Sequence, residues 1–435
     1  MARGPRSGSS SRVGGRTGKA AWIAPVVLAL AYVVATPRVA DAYAVLSHEA
    51  IIDAAWDASI VPALRVRFHP SAADLKRARA FAYGGSLIQD IGYYPFSSRF
   101  FGDLTHYVRS GDFIEALLRE STDVTEYAFA LGALAHYAAD NDGHPLAVNR
   151  AVPALYPKLR AKFGNDMTYA QNPAAHLKTE FGFDVIQVAR GKYAADAYHD
   201  AIGFEVSKPV LERAFQSTYG LELKDVFRSL DLAIGTFRWT VSSTIPEMTK
   251  VAWELKNKDI VTLTPGITRE TFRFTQTRVA YEKAWGTEYR RPGFAHKVVA
   301  GLLRIVPRFG PFQALAFKPP TPETERWFLD SFAKTVAQYR LLVDEVSRPR
   351  SVLENRNFDT GRLVKAGDYS LVDATYARLV ETLAKRQEAG AAIPRLLRAN
   401  IMTFYANLDA PIETRKHKKE WTRLLQDLDR LKPAG

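Results

Sequence analysis

Hydrophobic residues recur at helical spacing along most of the chain. Residues 123–126 have the pattern of a helix-capping box, and the apolar positions that follow lie three or four residues apart: Tyr127, Leu131, Leu134 and Ala138. Thr321 and Pro322 are typical of a helix start, and residues 372–383 carry a further amphipathic pattern. Alternation typical of a strand occurs only around residues 271–275. The pattern therefore predicts an all-α protein.

The distribution of histidine divides the chain into two parts. Six of the nine histidines lie between residues 48 and 176, and connecting segments at residues 257–266 and 318–322 interrupt the later helical pattern. We expect a histidine-rich domain over residues 43–250. A helical C-terminal region, residues 251–435, carries no motif, and its role stays open.

The first 42 residues have the pattern of a secretory signal peptide. Residues 1–19 carry five basic residues and no acidic one, residues 20–35 are apolar, and Ala40-Asp41-Ala42 matches a cleavage site. Cleavage there would make Tyr43 the first residue of a secreted or periplasmic protein. The alternative is an uncleaved membrane anchor, although the apolar run of 16 residues is slightly shorter than the span of about 17–25 that crosses a bilayer.

The composition excludes several kinds of chemistry. The chain has no cysteine, so disulfides, thiolate nucleophiles and cysteine-bound zinc are excluded, and any transition metal must be held by His, Asp and Glu. The 59 basic residues outnumber the 46 acidic ones, and the formal charge is +13. Without residues 1–42, which hold six basic residues and one acidic residue, it would be +8. This excess suits an anionic partner such as a phosphate or a membrane surface.

Two pairs of a histidine and an acid are separated by four positions: His136 with Asp140, and His176 with Glu180. Residues four apart on a helix differ by only about 40° around its axis, so each pair can bind one ion. We expect His144 where the first helix ends, because the proline that follows it disfavours helix at that position. One such pair is typical of an ion pair, whereas two pairs and His144 within 45 residues indicate a metal site, for which zinc is well suited.

Five short segments follow one another in a specific order. They are Tyr43-Ala-Val-Leu-Ser-His48, Gly85-Ser-Leu-Ile-Gln-Asp90-Ile-Gly, Asp103-Leu-Thr-His106-Tyr, His136-x3-Asp140-x3-His144 and His176-x3-Glu180. In this order they resemble the motifs of bacterial zinc-dependent phospholipases C and of the related fungal zinc nucleases that cut single strands. The resemblance covers roughly residues 43–243. It implies the multi-helical fold of that superfamily, with an additional helical C-terminal region.

The resemblance also implies two to three zinc ions in a cleft, with ligands carried over position by position. The first ion would be bound by Asp90, His106, His136 and Asp140. The second would be bound by His144, His176 and Glu180. The third would be bound by the amine and carbonyl of Tyr43, by His48 and by a bridging Asp140.

The chain departs from the family's pattern in three places. Tyr43 stands where the family usually has Trp, which leaves the backbone ligands in place. Three residues separate Asp140 from His144, where well-known members have five, so Asp142 is an alternative to His144 as the ligand. Ile91 follows Asp90, where choline-binding members have Tyr, and the headgroup preference therefore stays open.

A zinc cluster suits phosphodiester hydrolysis because it activates water and needs no protein nucleophile. Asp90 is the candidate catalytic residue, which would orient or deprotonate this water, with ligation alone as the alternative. Asp103 and Asp184 are candidates to hold imidazole rings in place. The histidines that match no motif are His69, His199, His296 and His417.

The resemblance implies a secreted zinc-dependent phosphoric diester hydrolase of the phospholipase C type, most suited to glycerophospholipids. Its partners would be a phospholipid or another phosphodiester and, peripherally, a membrane surface, and the sequence indicates no protein partner. The alternatives are a secreted zinc nuclease or other phosphodiesterase, and a non-enzymatic metal-binding envelope protein. The fungal nucleases usually carry disulfides, which this chain cannot form.

Overall fold

Helices form nearly all of the regular structure in the described part of the chain. The computed structural model describes residues 45–94, 96–189, 204–241, 317–348 and 352–432, with short pieces at 253, 256–262 and 265–268. Within these ranges the only sheet is one antiparallel pair of two-residue strands. The prediction of an all-α fold is confirmed.

The helices and strands follow in chain order. The helices of the first part are α1 Val45–Ala55, α2 Val61–Phe68, α3 Ala72–Leu87, α4 Arg99–Tyr107, α5 Ser110–Glu120, α6 Val124–Gly143, α7 Asn149–Leu155, α8 Pro157–Phe163, α9 Pro173–Ala189, α10 Lys208–Tyr219, α11 Leu223–Val226 and α12 Leu230–Trp239. The later elements are α13 Pro322–Val346, β1 Arg356–Asn357, β2 Arg362–Leu363, α14 Ser370–Glu388, α15 Arg395–Phe404 and α16 Lys418–Leu431. Short π and 3₁₀ turns among the described residues are Trp56–Ile60, Gln89–Tyr93, His144–Val148, Tyr169–Gln171 and Glu413–Lys416.

Side chains at the predicted positions cap two of these helices. The Asp123 carboxylate accepts hydrogen bonds from the backbone N–H groups of Thr125 and Glu126, at 2.8 and 2.9 Å, and so starts α6. The Thr321 hydroxyl accepts one from the N–H of Thr324 at 3.2 Å and starts α13. The strand-like pattern at residues 271–275 lies outside the described residues.

Helix α6 is the central element of the core. Every residue from 125 to 140 is buried, because α1, α2, α3, α5 and α13 all pack against it. A helix that is apolar on all sides is stable only when it is surrounded in this way. The contact with α13 includes a hydrogen bond of 2.9 Å from the Tyr339 hydroxyl to the carbonyl oxygen of Leu131.

Glycines bring the backbones of α3 and α6 into direct contact. A Cβ atom on Gly85 would lie 1.9 Å from the carbonyl oxygen of Phe129, and one on Gly132 would lie 2.0 Å from that of Ala82. Larger residues at either position would therefore force the helices apart. This contact places the C-terminal end of α3 beside the middle of α6.

The later part of the chain packs against the first part near the ends of α4 and α6. The Tyr137 hydroxyl donates a hydrogen bond of 3.0 Å to the carbonyl oxygen of Glu354, and the N–H of Phe358 donates one of 3.3 Å to the carbonyl oxygen of His106. The boundary near residue 250 stays a prediction. In the described ranges no helix has both the length and the apolar composition needed to cross a bilayer.

Candidate metal centre

Five of the predicted ligands meet in the interior, on four separate elements. His48 lies in the first turn of α1, Asp90 in the 3₁₀ turn after α3, and His106 near the end of α4. His136 and Asp140 lie one turn apart on α6. Each of the five residues is at most 3% exposed. Residues that are far apart in sequence thus form one buried cluster, which we call the first set.

The two aspartates of the first set each face imidazoles with both oxygens. Nε2 of His106 lies 3.3 Å from Oδ1 of Asp90 and 3.6 Å from Oδ2 of Asp140. Nε2 of His136 lies 3.2 Å from the same Oδ2 of Asp140. Nε2 of His48 lies 3.6 Å from Oδ1 of Asp140 and 3.8 Å from Oδ2 of Asp90. Ligand atoms bound tetrahedrally to zinc at 2.0–2.2 Å are about 3.4 Å apart. These separations suit carboxylate oxygens and imidazole nitrogens that would bind zinc together.

Backbone carbonyls hold two of the imidazole rings. Nδ1 of His106 lies 2.8 Å from the carbonyl oxygen of Gly102, and Nδ1 of His136 lies 2.9 Å from that of Ser86. A hydrogen bond from Nδ1–H fixes the tautomer, so the lone pair at Nε2 faces the carboxylates. This arrangement prepares both rings to bind a metal through Nε2.

The two aspartates that the sequence suggested for holding imidazoles have other contacts. Asp103 forms an ion pair of 3.7 Å with Arg99, and burial raises the pKa of Asp103 to about 6. Asp184 accepts hydrogen bonds from the N–H of Leu46 at 3.1 Å and from the hydroxyl of Ser47 at 2.6 Å. Asp184 thus anchors the start of α1 next to His48.

The charges of the first set favour a cation. Burial, and then the nearby His136, lower the pKa of His48 to about 4, so its ring is neutral and able to bind a metal. Burial also acts to lower the pKa of His136, but Asp140 and Asp90 outweigh it and raise that pKa to about 9. The pKa of both aspartates is lowered: burial acts to raise it, but the nearby imidazoles, and His136 most strongly, outweigh burial. Both carboxylates are therefore ionised.

No Lys or Arg among the described residues forms an ion pair with Asp90 or Asp140. The buried oxygens of both carboxylates also accept no hydrogen bond of ordinary geometry from this part of the chain. Buried ionised groups are stable only when they are paired or bind a metal. The donor set of imidazole nitrogens and carboxylate oxygens is one that zinc prefers, so the residues fit the implied ion. The first set contains two groups of three residues whose ligand atoms lie within 4.8 Å of one another: His48–His136–Asp140 and Asp90–His106–His136.

The predicted ligands of the second ion, His144, His176 and Glu180, are also buried but are less closely gathered. His144 follows the last residue of α6, but the helix does not end there as expected from Pro145, because His144 has helical dihedrals and begins the π turn His144–Val148. Its ring stacks on that of His176 with the centroids 5.9 Å apart. Nδ1 of His176 lies 3.7 Å from Oε1 of Glu180, and its Nε2 contacts the carbonyl oxygen of Met167 at 2.5 Å. Among the described residues, these three do not form a group within 4.8 Å of the kind seen in the first set.

Two further candidate ligands, Asp142 for the second ion and Tyr43 for the third, have different outcomes. Asp142, the alternative to His144, forms an ion pair of 2.9 Å with Lys334 on α13. The geometry therefore favours His144. Tyr43, whose amine would bind the third ion, lies outside the described residues. The ligand roles of all nine residues stay predictions.

Sequence analysis missed one residue near this site. Asp359 follows β1 and is buried, with Oδ1 3.6 Å from Nδ1 of His144. No spacing to another acid or histidine marks it in the sequence. In the sequence, Asp359 stands two residues before Gly361 in a region without motifs, so it looks like an ordinary turn residue.

Comparison with known proteins gives one match. Residues 47–229 match a family model described as zinc dependent phospholipase C. No curated protein and no solved structure matches the chain. The match includes every predicted ligand except Tyr43 and ends well before Asp359.

We expect Asp140→Asn to lower the zinc content of the purified protein by at least one ion per chain, because both oxygens of Asp140 face imidazoles. Asp142→Asn is the matched control, and its zinc content should equal that of the wild type because Asp142 pairs with Lys334. Elemental analysis after dialysis measures both. Loss of zinc in the Asp142 variant alone would show that the assignment of these two aspartates is wrong.

Proposed function

We propose, because residues 47–229 match the family model of zinc-dependent phospholipase C, a family of hydrolases, that the protein is an exported enzyme that cleaves glycerophospholipids between glycerol and phosphate. One observation carries the proposal. Asp90 and Asp140 lie ionised in the interior, within 3.2–3.8 Å of three imidazole nitrogens. No Lys or Arg of the described residues pairs with either.

The chain's own residues prepare the site for hydrolysis. The carbonyl oxygens of Gly102 and Ser86 orient the rings of His106 and His136, and the buried helices around α6 exclude bulk water. When bound, zinc supplies a water that is acidic near pH 7 and a positive charge that stabilises the phosphate oxygens. Preorganised groups of this kind need no rearrangement during the reaction.

Asp90 is suited to take up the proton of the attacking water. Its Oδ1 lies 3.3 Å from Nε2 of His106, whereas its Oδ2 has a more distant neighbour, Nε2 of His48, at 3.8 Å. We assign the proton to Oδ2 for this reason. The water oxygen bonds to phosphorus, the bond from phosphorus to the glycerol oxygen breaks, and that oxygen leaves with one proton. The net change is the addition of one water molecule to the diester.

We expect the protein to hydrolyse liposomes of phosphatidylcholine or phosphatidylethanolamine to diacylglycerol. Activity should vanish with a chelator and return on addition of zinc, because the site needs cations to balance its carboxylates. The assay measures diacylglycerol and the released phosphomonoester, with single-stranded DNA as a parallel substrate. Faster cleavage of DNA than of any liposome would favour the nuclease, and the absence of all zinc-dependent turnover would contradict the enzymatic proposal.

We expect Asp90→Asn to lower kcat by about 100-fold or more, as removal of a general base does, while most of the bound zinc remains. Kinetics and elemental analysis of the same preparation measure the two effects. Asp103→Asn is a suitable comparison, since Asp103 is a partly buried aspartate that pairs with Arg99. Losses of zinc and of turnover in equal proportion would mean that Asp90 is a ligand only.

Export and chemistry are linked in this proposal through the N-terminus. His48 lies in the first set, five residues after Tyr43, so removal of residues 1–42 would place a free amine near the site. An α-amine titrates near pH 7.7–8.0, so a metal can displace its proton at neutral pH. In an uncut chain the same nitrogen is an amide, which is a poor ligand.

We expect a form that begins at Tyr43 to bind one more zinc ion than a form that begins at Arg38, and to be more active. The two forms differ by only five residues, so each is a control for the folding of the other. Mass spectrometry of the exported protein identifies the natural first residue. Equal zinc content and activity of the two forms, or a natural start elsewhere, would contradict the role of the Tyr43 amine.

A further inference from the structure

The turn between β1 and β2 carries Asp359 to the second site, although it lies outside the residues that match the family. Gly361 in this turn has a φ of +65°, and a Cβ atom there would lie 2.5 Å from the carbonyl oxygen of Asn141 on α6. The turn is therefore pressed against the end of α6, next to His144. The ring of Phe358 packs on that of His106, with the centroids 5.3 Å apart.

Hydrogen bonds fix the orientation of Asp359. Its Oδ2 accepts hydrogen bonds from the hydroxyls of Tyr107, at 2.8 Å, and of Tyr369. Its N–H donates to Oδ1 of Asn357 at 3.0 Å, and its carbonyl oxygen accepts from Nδ2 of Asn149 at 2.8 Å. These contacts leave Oδ1 facing the His144 ring.

The distance from Oδ1 of Asp359 to Nδ1 of His144 distinguishes a hydrogen-bond partner of the His144 ring from a second ligand of the same metal ion. At 3.6 Å it is longer than a hydrogen bond, and the buried Nδ1 has no hydrogen-bond partner among the described residues. It lies instead within the range of 3.2–3.8 Å that separates carboxylate oxygens from imidazole nitrogens in the first set. That spacing is close to the edge of a tetrahedron around zinc, about 3.4 Å.

His176 and Glu180 form a second His–carboxylate pair with a similar spacing, 3.7 Å from Nδ1 of His176 to Oε1 of Glu180. Two His–carboxylate pairs therefore lie side by side, joined by the stacked rings of His144 and His176. Among the described residues, no Lys or Arg forms an ion pair with Glu180 or Asp359. Neither carboxylate is thus paired with a basic side chain of the described residues, and a divalent ion bound by the two pairs would provide a cation for both.

We propose that Asp359 is a fourth protein ligand of the second zinc ion, together with His144, His176 and Glu180. The proposal rests on the zinc-dependent function above and deepens it, because it assigns a role to the C-terminal region. Two neutral imidazoles and two carboxylates balance the charge of Zn²⁺, whereas the three residues of the first part alone leave one positive charge. The later part of the chain thus completes a site that the family-matching part begins.

We expect Asp359→Asn to weaken binding of the second ion by about 100-fold or more, since loss of an outer hydrogen-bond partner of a metal ligand alone costs about 10–100-fold. Competition with a chromophoric chelator measures the affinity, and Co²⁺ in place of zinc reports the ligand set through its visible absorption. The cobalt spectrum of the second site should change in this variant. Asp368→Asn is the matched control, because Asp368 is exposed in the same segment.

An unchanged cobalt spectrum in Asp359→Asn would overturn the proposal, whatever the change in affinity. If this variant does not fold, Asp359→Glu keeps the charge but moves the carboxylate by one methylene, and it should bind the second ion more weakly with an altered spectrum. Wild-type affinity and spectrum in that variant would also overturn the proposal. Failure of the wild type to bind any metal would instead contradict the proposed function itself.

Discussion

The burial of ionised carboxylates is the constraint on which this structure depends. Asp90 and Asp140 lie in the interior among imidazoles, and within the described ranges no Lys or Arg pairs with either. A charge in such surroundings is stable only if a cation neutralises it. The imidazole of His136, whose pKa, against the effect of burial, these carboxylates raise to about 9, can supply part of that positive charge, and a bound cation would supply the rest. The match of residues 47–229 to a zinc-dependent family model agrees with such a site.

The position of the site follows from one close helix contact. Because Gly85 and Gly132 lack side chains, the backbones of α3 and α6 touch, and the carbonyl oxygen of Ser86 reaches the ring of His136. The same contact places Asp90, just after α3, opposite Asp140 on α6. A shift of either helix would change distances that metal binding tolerates only within a few tenths of an ångström. Packing of apolar helices thus sets the precision of the polar site.

The region after residue 317 contributes to this centre as well as to the core. Tyr339 on α13 bonds to the backbone of α6, and the β1–β2 turn places Asp359 beside His144. Part of the chemistry therefore depends on residues outside the family match. Since the hydroxyls of Tyr107 and Tyr369 both hold the Asp359 carboxylate, the two parts of the chain share the hydrogen bonds at the second site.

The sequence by itself determined the helical class, the helix start at Asp123 and the pairing of His136 with Asp140, because spacing within one helix is local and repeats every 3.6 residues. The resemblance of ordered motifs agrees with the family model that residues 47–229 match, which covers these motifs except for residues 43–46. Only the tertiary structure decided that carbonyl oxygens, and not Asp103, orient the rings, and that Asp359 joins the second site. A backbone acceptor is the same in every residue type, and a contact between residues more than 200 positions apart leaves no periodic trace in the sequence.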